Sequence, residues 1–189
     1  MNRTDWKKLK NGSDIRGVAI EGVEGQTVNL TDEAISAIVE GYVLWLSERT
    51  GKSSDTLTIA IGNDPRLSHN RIKQAAINAL MRSGDRTVDC GLASTPAMFM
   101  TTKDKTVHAD GAIEITASHL PFNRNGLKMF TGDGSLEGKD IDMILGYAIE
   151  GKKIEPKAYG SLINVDFMST YSEGLVKLIR EQVNSYDDY

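Results

Sequence analysis

Short runs with strand character alternate with segments of helical periodicity along most of this chain, and that alternation restricts the fold more than any single residue does. Residues 57–61 (Leu-Thr-Ile-Ala-Ile) read as a buried strand, residues 87–90 as a second short strand, and residues 112–116 and 127–130 as two more strands flanking a polar loop. Helical segments lie between and around them. Thr31 is placed to cap the first, Asp32 and Glu33 suit the positive end of its dipole, and Ile35, Ile38, Val39, Tyr42 and Trp45 form its apolar stripe up to Gly51. Ser68 is the expected cap of the next, whose face is Ile72, Ala75, Ala76, Ala79 and Leu80 and whose end is Gly84. Thr95-Pro96 reads as a cap and first-turn proline before a short helix, and residues 138–149 carry Ile141, Leu145 and Ala148 at helical spacing. Parallel strands need crossover connections, and helices supply them while covering the sheet. The expected fold is therefore α/β: a three-layer domain with a mixed, mostly parallel sheet between helices.

With 189 residues, 40% of them apolar, the chain is long enough to build a core without disulfides or a structural metal. Cys90 is alone, so an internal disulfide or a thiolate cage is excluded, and a reducing, cytoplasmic location is expected. The charged first ten residues lack a signal-peptide core, and no segment has the length and apolarity of a membrane span. A net charge of −4 without a basic stripe argues against nucleic acid, so any bound anion must be held locally. After Gly151 the sequence turns polar, through Lys152, Lys153, Glu155, Pro156 and Lys157. An amphipathic segment with Phe167, Tyr171, Leu175 and Leu178 on one face follows. The expected division is a domain over 1–160, then a linker and the first helix of a truncated second domain over 161–189.

Chemistry concentrates in Ile115-Thr116-Ala117-Ser118-His119-Leu120-Pro121, followed by Asn123-Arg124-Asn125-Gly126-Leu127-Lys128. A hydroxyl just past a strand end is exposed yet firmly held, which suits a nucleophile or a phosphoryl carrier. By residue type alone the favoured reading is plainer, with Ser118 and Asn125 as turn formers and Lys128 as a solvated strand residue.

The spacing, however, resembles the phosphoserine loop of the α-D-phosphohexomutases, the phosphoglucomutase/phosphomannomutase family, in which T-[AG]-S-H-N-P is followed by N-G-x-K. Gly12-Ser13-Asp14-Ile15-Arg16-Gly17 is similar to that family's N-terminal signature, Gly62-Asn63-Asp64-Pro65-Arg66 to its G-x-D-x-R loop, and Gly91 to Pro96 to its G-x-x-x-T-P element. The resemblance implies the N-terminal domain I of such an enzyme. Ser118 would carry a phosphoryl group, pass it to a hexose monophosphate, and recover the other phosphate from the bisphosphate. The parent would thus interconvert hexose 1-phosphates and hexose 6-phosphates, with a hexose 1,6-bisphosphate as activator. Arg16 and Lys128 would stabilise charge on the transferring oxygens, and His119 would position or protonate nearby oxygens. Lys128 is alternatively a general acid or base, if burial beside cations lowers its pKa. Asp64, Arg66 and Asn125 would bind substrate or support the loop; for Asp64 and Arg66 an ion pair in a turn is an equal reading.

Two positions depart from the family pattern: Leu120 stands where asparagine is usual, and Asn63 where arginine is usual. The resemblance also implies partners in three further domains, one of which brings the carboxylates of a Mg2+ site. Here Mg2+ would be met only through the phosphate on Ser118, and this chain alone would be inactive. Asp140 and Asp142 fall on a predicted helix and read as solvent-facing rather than as metal ligands. The alternative is a non-catalytic phosphosugar-binding or scaffolding module of the same fold, a reading that Leu120 favours. A Ser-His hydrolase is disfavoured because G-x-S-x-G is absent and adjacent residues on an extended loop diverge. Gly51-Lys52-Ser53 imitates a phosphate loop, but Leu46 occupies the place of its first glycine.

Overall fold

The computed structural model describes residues 3–182. In chain order its elements are α1 (Arg3–Lys7), β1 (Lys10–Asn11), β2 (Asp14–Val18), α2 (Asp32–Thr50), β3 (Thr58–Asn63), α3 (His69–Ser83) and β4 (Arg86–Leu92). Then follow α4 (Thr95–Met100), β5 (Gly111–Ile115), β6 (Arg124–Thr131), β7 (Gly134–Ser135), α5 (Gly138–Glu150), β8 (Ser161–Asn164) and α6 (Phe167–Gln182). The strands form one sheet in the order β1-β2-β6-β5-β3-β4-β8, with β7 paired to β6.

The sheet has two halves. β5, β3, β4 and β8 run parallel, joined where α3 and α4 cross over, as the alternation requires. β6 returns antiparallel to β5, because residues 116–123 hold no helix to carry the chain back. β2 then pairs antiparallel with β6, and β1 with β2. The four strands expected from sequence are present, and the three-layer mixed architecture is the one expected. The short strands β1, β2, β7 and β8 were not anticipated. β8 lies beyond residue 160, yet it pairs with β4 and fastens the following segment to this sheet.

Strand alternation divides the core. Ile59, Ile61, Ile113, Ile115, Leu127 and Met129 face α2, α3 and α5, where Ile35, Ile38, Ile72, Leu80, Ile141 and Leu145 meet them. On the opposite face Ala60, Val88, Ala112 and Phe130 pack with Ala97 and Met98 of α4 and Phe167 of α6. Tyr42 crosses the first layer, donating from its hydroxyl to the Phe130 carbonyl at 2.8 Å. Gly111 makes room for it: a Cβ there would lie 2.1 Å from the Tyr42 oxygen.

Helix ends follow local chemistry in part. Thr31 accepts from the Ala34 amide at 3.3 Å, and Gly51 and Gly84 close their helices at φ of 69° and 89°. Ser94, not Thr95, caps α4, accepting from the Ala97 amide at 3.4 Å. Ser68 precedes α3 without capping it, and its hydroxyl accepts instead from Asn125 at 2.9 Å. Asp140 is buried rather than solvent-facing, because its carboxylate accepts the Glu137 amide at 2.8 Å at the start of α5. Asp142 does point outward, to Lys10 at 2.6 Å. No helix among the described residues is long and apolar enough to cross a membrane.

Asp85, at the turn into β4, is fully buried; one carboxylate oxygen accepts from Thr87 at 3.0 Å and the other has no partner. Burial, the largest cause, pushes its pKa up to about 7. The folded state therefore holds a proton that the unfolded chain releases at ordinary carboxylate pH. The stability associated with it is complete below the unfolded pKa and is lost as pH rises through about 7. Urea unfolding across this range should show that loss, and Asp85→Asn should flatten it, gaining roughly 1–3 kcal/mol relative to wild type at alkaline pH. Parallel profiles for the two proteins would contradict this.

Candidate active site

The loop that reverses the chain between β5 and β6 carries the candidate nucleophile. Buried Thr116 continues β5, and its hydroxyl accepts the Ser118 amide at 3.0 Å. Ala117 is fully buried, and its carbonyl accepts the Leu120 amide at 3.0 Å. Between these anchors Ser118 adopts φ of 52°, in the left-handed region that non-glycine residues seldom enter. The turn leaves Ser118 and His119 exposed. It also brings the Ser118 hydroxyl within 3.3 Å of His119 Nδ1, so the expectation that adjacent side chains diverge fails here. That expectation presumed extended backbone. No carboxylate among the described residues orients the imidazole.

Arg66 holds this loop from below. One guanidinium nitrogen donates to the carbonyls of Pro121 and Arg124 at 3.0 Å each, and another to those of Ser118 at 2.6 Å and Leu120 at 2.8 Å. Asp64 forms an ion pair with the guanidinium, 3.3 Å from Nε without a hydrogen bond there, and accepts the Arg66 amide at 3.1 Å. Arg66 is thus engaged with the loop backbone, and the Asp64 carboxylate with Arg66. Asn125 is also inward: fully buried, it donates to Ser68 and accepts the Gly126 amide at 2.8 Å. It ties β6 to the start of α3.

Arg16 and Lys128 come from neighbouring antiparallel strands and meet at Asp14. Arg16 donates to the Thr116 carbonyl and pairs with Asp14 at 2.8 Å, while Lys128 reaches the other Asp14 oxygen at 3.0 Å. Gly126 permits the close approach, since a Cβ there would stand 2.8 Å from Arg16 Nη1 and 2.0 Å from the Ile15 carbonyl. Burial, opposed by Asp14, lowers the Arg16 pKa from its ordinary value. Lys128 lies against a carboxylate and 5.7 Å above the Phe130 ring, rather than among cations alone.

Asp14 and Glu114 escaped the sequence reading. Asp14 stood inside the glycine-rich N-terminal motif, two residues from Arg16, which was its signal. Glu114, 1% exposed, was visible only as a charged residue within an otherwise uncharged strand. His69 touches the site through Arg66, whose carbonyl lies 2.7 Å from its ring Nδ1. No three His, Cys, Asp or Glu side chains among the described residues are grouped to hold a metal ion. Ser118 stands on an outward turn. A groove of about 420 Å³, lined by residues including Met100, Phe167, Tyr171, Leu175 and Leu178, lies elsewhere, between α4 and α6.

The left-handed turn at Ser118 and the Arg16–Asp14–Lys128 cluster are joined through the bond from Arg16 to the Thr116 carbonyl. Residues 7–153 match the model of the phosphoglucomutase/phosphomannomutase α/β/α domain I. The chain belongs to that family, and this part of it is domain I. It is 32% identical over 172 residues to a phosphoglucosamine mutase of Exiguobacterium sibiricum, covering 89% of this chain and 35% of the relative. It is 31% identical to a phosphomannomutase of Salmonella muenchen, covering 72% of this chain and 27% of that one. A solved phosphoglucomutase/phosphomannomutase family protein of Burkholderia thailandensis has the same fold, with a TM-score of 0.74 at 22% identity over 91% of this chain and 36% of that chain. The chain thus spans about a third of the length of these relatives.

If Arg66 sets the loop, its forked geometry matters as well as its charge. Arg66→Lys should speed amide hydrogen exchange across 118–124 by about tenfold or more, with a small change in Tm. Unchanged exchange in the loop would remove Arg66 from this role.

Proposed function

We propose that this chain is the phosphate-holding part of a phosphosugar mutase that interconverts hexose 1-phosphates and hexose 6-phosphates. The observation that carries the reading is Ser118, exposed at a left-handed turn, with its backbone fixed by Arg66 and its hydroxyl 3.3 Å from His119. Ser118 Oγ is the phosphoryl carrier. In the first transfer a sugar hydroxyl oxygen bonds to phosphorus as the bond to Ser118 Oγ breaks. The sugar oxygen loses its proton and Oγ gains one, a transfer for which His119 is placed. In the second, Oγ attacks the other phosphate of the bisphosphate and the proton movements reverse. Arg16 and Lys128 offset charge on the phosphoryl oxygens, where a fixed cation needs no reorganisation. Asp14 holds those two cations side by side.

Mg2+, when bound, would add positive charge at the phosphoryl oxygens. Asp14 and Asp64 are already engaged by Arg16, Lys128 and Arg66, so the donor from this chain is the phosphate on Ser118 and the carboxylates belong to a further domain. A hexose 1,6-bisphosphate serves as activator by phosphorylating Ser118. Residues 1–160 form domain I, and 161–189 lead into a second domain, with β8 fastening the connection to the sheet. Three further domains complete the parent, this chain alone is inactive, and the setting is cytoplasmic.

Leu120 favours the alternative of a non-catalytic module. Arg66 holds its carbonyl, however, so the loop's backbone does not depend on an asparagine side chain there. Kinetics of the full-length parent with Mg2+ and a hexose 1,6-bisphosphate should show interconversion of hexose phosphates, and Ser118→Ala should lower kcat by about 1,000-fold or more. Intact mass should show one added phosphoryl group, absent from the variant. Phosphorylation at another residue, or turnover that survives the substitution, defeats the carrier assignment.

A further inference from the structure

Glu114 lies on β5, two residues before Thr116. It is 1% exposed, and its Oε2 has no hydrogen-bond partner. In the antiparallel ladder it stands directly opposite Lys128, so the two side chains share a face of the sheet. Lys128 nonetheless turns to Asp14, and Arg16 gives its hydrogen bonds to Asp14 and the Thr116 carbonyl. Arg16 and Lys128 are therefore hydrogen-bonded away from Glu114.

The other elements around it offer no substitute. From the β3–α3 connection Asp64 adds repulsion, and its partner Arg66 is spent on loop carbonyls. From β4 the buried thiol of Cys90 couples to Glu114, with the Lys73–Asp89 pair beside it. α4, which covers this face, has no charged residue in its sequence, and α6 contributes Phe167 to the apolar packing. An ionised carboxyl at this place would be desolvated without a hydrogen-bonded partner, an arrangement that favours the neutral acid. Burial first, then Asp64, pushes the Glu114 pKa up to about 8, with Arg16 opposing.

We propose that Glu114 is a positioning residue for the Ser118 site, carrying a proton in the working protein so that Arg16 and Lys128 stay held at Asp14, with positive charge to spare for a phosphate on Ser118. The inference rests on reading Ser118 as the phosphoryl carrier. With Glu114 neutral, Asp14 alone balances Arg16 and Lys128, and one surplus positive charge faces the loop. With Glu114 ionised, a second carboxylate cancels that surplus and competes for Lys128 across the strand pair. A phosphate dianion on Ser118 and a carboxylate at 114 oppose each other, so the two titrations are linked.

The test uses the whole 189-residue chain with phosphoserine incorporated at position 118 during translation, followed by its 31P chemical shift against pH. Wild type should show the phosphate's own inflection near pH ~6. A second inflection should follow at about 8 or above, and Glu114→Gln should keep the first and lose the second. Glu114→Met, neutral by a different chemistry, should match Glu114→Gln and serves if that variant folds poorly. A single inflection in wild type, or a second one that persists in both variants, overturns the role of Glu114. The carrier reading fails separately, through parent turnover that survives Ser118→Ala.

Discussion

The chain between Ile115 and Arg124 reverses direction without a helix, and this constraint shapes the functional half of the molecule. A parallel return would need a crossover, so β6 lies antiparallel against β5 and in turn receives β2 antiparallel on its other side. That arrangement brings Asp14 and Arg16 next to Lys128 across more than a hundred residues of sequence. It also places the turn itself, with Ser118 at its head, where the strand ends of the parallel half converge. The parallel strands supply a stiff base, and the antiparallel strands supply the charges.

Within that frame the polar side chains have separate duties. Arg66 and Asp64 organise backbone, Asn125 joins β6 to α3, and Arg16 spans both categories by holding the Thr116 carbonyl while paired to Asp14. Charge-assisted bonds to carbonyls are stronger than neutral ones and are shielded here by partial burial. The loop backbone is thereby held at four carbonyls, which orders the Ser118 hydroxyl in advance of the phosphoryl transfer proposed for it.

Local chemistry made much of this legible in sequence. The apolar stripe from Ile35 to Trp45, the glycines at 51 and 84, and the four strand runs each depend on neighbours close in the chain, and all appear in the structure. The serine loop was legible through its spacing and its resemblance to a known family. What escaped depends on distant partners. β2 is short and polar, and it becomes a strand because β6 offers an edge. Ser68 has the composition of a cap but is claimed by Asn125, 57 residues away. Asp140 looked solvent-facing until its bond to the Glu137 amide turned it inward. Glu114 carried no local pattern at all; its significance arises from which cations other groups have already taken.

The left-handed backbone at Ser118 has a further meaning for how the sequence is constrained. A residue with a Cβ in that conformation costs about 1 kcal/mol or more relative to glycine, which would occupy it freely. Stability alone would therefore favour glycine at position 118. Under the proposed carrier role, serine there trades robustness for chemistry: the fold gives up part of its margin to hold one oxygen outward, and Arg66 limits the loss by pinning the adjoining carbonyls. A selection for thermal tolerance that ignored turnover would tend to erase this serine before it touched the core.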